Sequence, residues 1–259
     1  MKHSKQKFRF EKVLTPEQEK HFEQTAIQVP FKPKEKINLP KGTSAFVMTD
    51  LGKLIETFYY NNSGHHYYIP EPDPILIYFN LGHSFYREIS ENRKALFKVL
   101  NSDNLTENVR NQLYNYFGFC NGFVIFLFTS LEAFLNKMIP DDYIYCEDKK
   151  KYTANFNKSQ IERELNFDTK LKEVVNKITQ KDFSKKHRPT YEHIINLKRF
   201  RDNIVHTKTQ SNDNSGKTYE YLFKQALNFK YEETLLAVRD FINYYEPNYI
   251  EECDCGKDF

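Results

Sequence analysis

Between Phe117 and Asn136 the chain carries one charged residue, Glu132. A helix this apolar has to be covered on nearly every side, by lipid or by protein. Gly118, Cys120, Asn121, Gly122, Thr129 and Ser130 interrupt the run, and nothing else in the chain looks like a span. The expectation is therefore the central helix of a soluble bundle, with the rest of the chain arranged to cover it. No membrane association is expected. Glu132, carried into that core, needs a partner.

Three further helices supply the cover. Asp73-Pro74 opens a long one that runs to about residue 100, with Ile77, Leu81, Phe85, Ile89 and Leu96 at helical spacing. A short connector at 101–103 leads to the apolar helix, read from about 105 to 139 and loosened near Gly118 and Gly122. A third helix opens at Thr190 as its N-cap, and a last one spans about 231–245, with Leu235, Val238, Ile242 and Tyr245 on one face. With 8 glycines in 259 residues, turn-rich β architecture is disfavoured. The fold class read from these elements is all-α, an up-and-down bundle over 73–246. A polar, lysine-rich helical insertion occupies about 141–187, with helices near 159–164 and 169–179. Residues 1–72 read as an N-terminal extension with short helices. One is capped by Thr15 and opened by Pro16, and another spans 50–60. Residues 247–259 form a tail.

The third helix holds Leu197-Lys198-Arg199-Phe200-Arg201-Asp202-Asn203-Ile204-Val205-His206. At about 100° per residue, Ile194 and Val205 lie to one side of Arg201, and Leu197 and Ile204 to the other. Arg201 thus occupies the middle of an apolar stripe. A guanidinium cannot shed its charge, so it needs a partner, a function or both. Glu132 and Arg201 solve each other's problem, as a structural ion pair or as a device that aims the guanidinium. Asn136, one turn beyond Glu132, can bridge polar groups in the same place.

Two long helices, then an Arg-polar-x-x-x-His helix, then a last helix, together resemble the HEPN superfamily (higher eukaryotes and prokaryotes nucleotide-binding domains). Arg201-Asp202-Asn203-Ile204-Val205-His206 matches its Arg-x4–6-His motif with a polar residue after the arginine, and Ser130-Leu131-Glu132-Ala133-Phe134-Leu135-Asn136 is similar to the central helix of several such families. The likeness covers roughly residues 73–246. Arg199 is the competing motif arginine, since on an unbroken helix it lies about 20° from His206 and Arg201 about 140°. With Arg201, the helix must loosen near His206 or the two residues must meet across a dimer axis. Arg188 and His193 share the spacing, but Pro189 places them across a helix start.

The resemblance implies a metal-independent endoribonuclease with no cofactor. The ribose 2′-hydroxyl attacks phosphorus, His206 is the acid/base, and Arg201 stabilises the charge that grows on the phosphoryl oxygens. Glu132, Asp202, Asn203 and Asn136 support them. The composite site forms at a homodimer interface. RNA is the implied substrate. A toxin or phage-defence role with an antitoxin or regulatory partner follows from the likeness alone. The alternative is a non-catalytic HEPN-like module that binds RNA, a nucleotide or a protein.

Other features point less far. The net charge of +3 permits nucleic-acid binding without arguing for it. Four cysteines and no apolar leader after Met1 suggest no disulfide framework and a cytoplasmic protein. His65-His66-Tyr67-Tyr68 reads as a loop and Cys253-Asp254-Cys255 as a tail, neither with the partners of a metal site. The runs 149–151 and 185–188 read as solvated basic surface.

Overall fold

Alternation rather than helical periodicity governs the first part of the chain in the computed structural model, which describes residues 3–13, 15, 21, 26–49, 52–101, 107–148, 152–212 and 216–253. The chain divides into two units, residues 6–77 and residues 1–5 with 78–259.

The 6–77 unit is a five-stranded mixed sheet of β1 (Glu11–Lys12), β2 (Ala26–Gln28), β3 (Ser44–Met48), β4 (Leu54–Asn62) and β5 (His65–Pro70). One edge of β4 pairs antiparallel with β3, and the other with β1 and β5. β2 runs parallel to β3. Past β2, the Phe31 carbonyl accepts from the Tyr68 N–H at 2.9 Å, so the chain reaches the far edge of β5 and the sheet curls. Val29, Ala45, Val47, Ile55 and Tyr68 fill its inner face.

The all-α expectation is overturned here. The helix expected over 50–60 is instead strand β4, and the expected loop at 65–68 is β5. Ile55, Thr57, Phe58, Tyr59 and Tyr60 are β-branched or aromatic, and they suit a pleated surface better than a helix. The turn settles the pairing. Ser63 and Gly64 both have positive φ, 52° and 86°, as a two-residue hairpin loop with the twist of its strands requires. The Asn61 side chain accepts from the Gly64 N–H at 2.9 Å. Most of the helix expected after Thr15, from Pro16 on, lies outside the described residues.

The second unit is helical at its centre. Helix α1 (Pro74–Leu100) starts on Asp73, whose Oδ1 accepts from the backbone of Ile75 at 2.8 Å, with Pro74 at the first helical position. Helix α2 (Glu107–Lys137) is the apolar one, and it continues through Gly118 and Gly122 without a break. Its Tyr116, Cys120, Phe123, Leu127, Leu131 and Phe134 are fully buried. Among the described residues it is the one helix long and apolar enough to cross a membrane. Here it is the core around which the others pack.

Its glycines differ in what surrounds them. A Cβ on Gly122 would stand 2.9 Å from the Phe85 ring, while one on Gly118 would meet nothing within 4 Å. Gly118→Ala is therefore expected to stabilise the protein by up to about 1 kcal/mol through helix propensity. Gly122→Ala is expected to lose that gain and more to displacement of Phe85. Urea midpoints of the two variants moving in opposite directions would check both.

After α2 come a hairpin, β6 (Tyr145–Asp148) with β7 (Thr153–Phe156), and helix α3 (Lys158–Glu164). A reciprocal cap between Asn157 and Gln160 starts α3. Helix α4 spans 167–179 and is π-helical over Lys170–Val175. Ile139, Tyr145, Ile161 and Val174 give this segment a small core of its own. Helices α5 (Phe183–Lys186) and α6 (Arg188–Val205) follow, then the hairpin of β8 (Gln210–Asn212) and β9 (Gly216–Thr218), then α7 (Glu220–Asn228) and α8 (Tyr231–Tyr245). Pro189 falls in the first turn of α6, which begins just before the expected Thr190 cap. α6 and α8 pack on α2 and on each other. Near the unit's edge Ser4 bridges Glu252, and the backbone bonds Lys5 N–H to Glu251 O and Cys253 N–H to His3 O are both 2.8 Å.

Candidate functional site

Tyr191, Ile194, Leu197 and Phe200 form the buried line of α6. The buried position at the last turn goes to Phe200, whose ring lies 5.0 Å from Phe229. Arg201 therefore flanks the apolar stripe instead of occupying its middle. Its side chain keeps 30% of its exposure, and Glu132 keeps 38%.

The arginine does meet the predicted partner. Arg201 Nη2 lies 3.9 Å from Glu132 Oε2, a long ion pair. Its nearer partner is Asp202, with Nη1 donating to Oδ1 at 3.0 Å. The guanidinium also sits 5.1 Å from the centre of the Phe128 ring. At this exposure the Glu132 pair is worth about 1 kcal/mol or less. Its effect is to hold the guanidinium in place.

Charges alternate on both sides of this pair. Asp202 shares Lys198 with Asp168, each oxygen 3.4 Å from the ammonium. Burial works against the charge on Lys198, but the two aspartates outweigh it and raise its pKa. Beyond Glu132 lies Lys170, 5% exposed, which sequence reasoning missed. Its ammonium donates to Asn136 Oδ1 at 3.0 Å and to the Glu162 carbonyl at 2.6 Å. Burial lowers its pKa, against the opposing pull of Glu132 and Glu162. Asn136 thus serves Lys170. A signal for Lys170 existed, since it lies among the apolar positions Phe167, Leu171 and Val174 of α4. Lys170→Ala, which leaves two inward acceptors without a donor, is expected to cost about 2–3 kcal/mol in a urea titration.

His206 stands apart from this network. α6 ends at Val205, and His206 caps it with φ −108° and ψ 47°, its N–H bonded to the Asp202 carbonyl at 2.9 Å. The helix thus ends at the histidine, one of the two arrangements expected for Arg201, yet Arg201 does not line the cleft that His206 faces. The ring is exposed and lines an open cleft of about 380 Å³ with Asp202, Asn203, Thr207, Lys208, Tyr221 and Leu222. The Asn203 amide donates to the Tyr221 hydroxyl at 2.9 Å and to Gln225 Oε1 at 2.8 Å, which ties α6 to α7. α7 is held in turn by Arg93, which donates to the Leu227 carbonyl at 2.8 Å, and by Phe117, whose ring is 4.6 Å from that of Phe223.

The expected residues therefore fall into two groups. Arg201, Glu132 and, through Lys170, Asn136 belong to the charge network. His206 and Asn203 belong to the cleft, and Asp202 belongs to both. Arg199 is exposed and bonds Asn196 at 3.3 Å. Lys208 and Tyr221 join the cleft unannounced by any motif. Among the described residues no group of three or more His, Cys, Asp or Glu side chains is placed to hold a metal ion. Chemically, the cleft offers a histidine for proton transfer, an ammonium for a phosphate, and amide and phenol groups for a base or sugar.

Protein-family models, the curated proteins and the solved structures each yield no match to this chain.

Proposed function

We propose that this chain is a metal-independent endoribonuclease of the HEPN kind, cytoplasmic and acting as a homodimer. The observation that carries the reading is His206, an exposed imidazole released from the helix end into an open cleft beside Asn203, Lys208 and Tyr221. In the reaction His206 takes the proton of the ribose 2′-hydroxyl as the oxygen attacks phosphorus, or returns one to the leaving 5′-oxygen. Lys208 attracts the phosphate. Arg201 stabilises the developing negative charge, and because it does not line the cleft of its own chain, the arginine comes from the second copy. Glu132 and Asp202 aim it. An antitoxin or another regulatory partner would keep such an activity silent.

Incubation with mixed RNA in EDTA tests this. Products ending in 2′,3′-cyclic phosphate are expected, and loss of them in both His206→Ala and Arg201→Ala. The composite site makes a sharper demand. Mixing the two inactive variants rebuilds one intact site in each mixed dimer, so about a quarter of wild-type activity should return.

A second reading draws on Arg201 itself. It is already engaged by Asp202 and Glu132, as expected of a module that keeps the arginine for structure and binds RNA, a nucleotide or a protein without cutting. Bound but uncut RNA in the same assay would favour it.

A further inference from the structure

Cross-strand register sorts the β4–β5 hairpin into two faces. Phe58 stands opposite Ile69, Tyr60 opposite Tyr67, and Asn62 opposite His65. Directly paired residues share a face, so these six side chains lie on one surface, away from the inner core that Ile55 and Tyr68 help to form. This outer surface is open: Phe58 is 46% exposed, Tyr60 51% and Ile69 36%. Large aromatic groups on a sheet exterior forfeit the burial that normally justifies them, so they point to a ligand.

Charge indicates which ligand. The Lys32 ammonium lies 5.9 Å from the centre of the Tyr67 ring on this same face. Lys34 follows two residues on, exposed like Lys32, and neither lysine forms an ion pair with a described residue, whereas Lys36 lies 5.2 Å from the centre of the Tyr59 ring, on the other face. Glu56, the acidic group of β4 on this side, is taken up by Arg9. The surface thus offers flat π faces with unpaired cations beside them. A polyanion whose subunits carry unstacked rings fits it. A duplex, whose rings are already stacked, does not.

We infer that the outer face of the β4–β5 hairpin, formed by Phe58, Tyr60, Tyr67 and Lys32, binds single-stranded RNA, with bases stacked on the aromatic rings and phosphates near Lys32 and Lys34. The inference rests on RNA being the substrate, and it gives the 6–77 unit the task of capturing the strand.

Binding is measured by fluorescence anisotropy on the full chain carrying His206→Ala, so that the RNA stays intact, with a labelled oligouridine of about 12 nucleotides in EDTA. Phe58→Ala and Tyr60→Ala are each expected to weaken binding about tenfold, and Tyr60→Phe to leave it near wild type. A chain with Lys32→Ala and Lys34→Ala, changed in a segment outside the strands, is expected to lower the slope of log affinity against log salt by about one. Ultraviolet cross-links should fall within residues 54–70. Unchanged affinity in both the Tyr60→Ala and the double-lysine chains overturns the inference. Equal affinity for duplex RNA overturns it too, as does binding to anionic vesicles in place of the oligonucleotide. Failure of the ribonuclease reading looks different: the wild type leaves RNA uncut while the Tyr60→Ala effect persists.

Discussion

His206→Ala is expected to lower kcat for RNA cleavage by about 10²–10⁴-fold with little change in KM. The imidazole sits at the end of α6 with its ring in the cleft, and it is the one histidine among the cleft's described lining residues. Substrate contacts would come from Asn203, Lys208 and Tyr221, which the substitution leaves in place. The His206 side chain is exposed, so folding should be unaffected, and the thermal transition of the variant should match the wild type. Asn203→Ala should behave differently, because it frees Tyr221 and Gln225 and loosens α7 against α6. A higher KM is expected there alongside any fall in kcat. A His206→Ala chain that still cuts with cyclic-phosphate ends would remove His206 from the chemistry.

Phe134→Ala is expected to cost about 3–5 kcal/mol of stability. Phe134 has no exposed surface, and its ring meets those of Phe241, Tyr245 and Tyr249 at centroid distances of 6.2, 6.4 and 5.9 Å. Truncation removes a ring from the crossing of α2 and α8, where these stiff aromatic neighbours have little freedom to close the gap. The expected drop in Tm is about 10 °C. Hydrogen exchange would locate the damage. Amides of α2 and α8 should lose protection, while those of β4 and β5, with a core of their own, should keep it. A loss below about 1 kcal/mol would mean that the aromatic cluster tolerates a cavity.

The helices were legible because their signals are local. Asp73-Pro74 announces α1, the spacing of Leu235, Val238 and Ile242 matches α8, and the apolar run of α2 could hardly be anything else. The sheet was misread for an equally local reason. Asp50 to Tyr60 carries apolar residues at spacings that suit either structure, and the deciding facts are the left-handed Ser63-Gly64 turn and partners in β1 and β3. α7 was missed because the loop signals just before it hid its start. At the site, stripe geometry identified Arg201 and Glu132 as neighbours but misjudged their burial, because the last turn of α6 is less covered than the turns before it. The same reasoning applied to α4 would have found Lys170. Lys208 and Tyr221 carry no motif and become neighbours only when α7 folds back on α6.

The pairing of residues 3–5 with 251–253 has a consequence for synthesis. Residues 3–5 must wait for partners made about two hundred and fifty codons later, roughly ten to fifty seconds at ribosomal speeds. The 6–77 sheet needs nothing from downstream to close its own core, so it can fold as it leaves the ribosome. The helical unit is sealed only afterwards, when the late segment reaches the early one and closes a long loop. A nascent chain would therefore acquire the proposed RNA-capturing face well before the helical unit that carries the His206 cleft is complete.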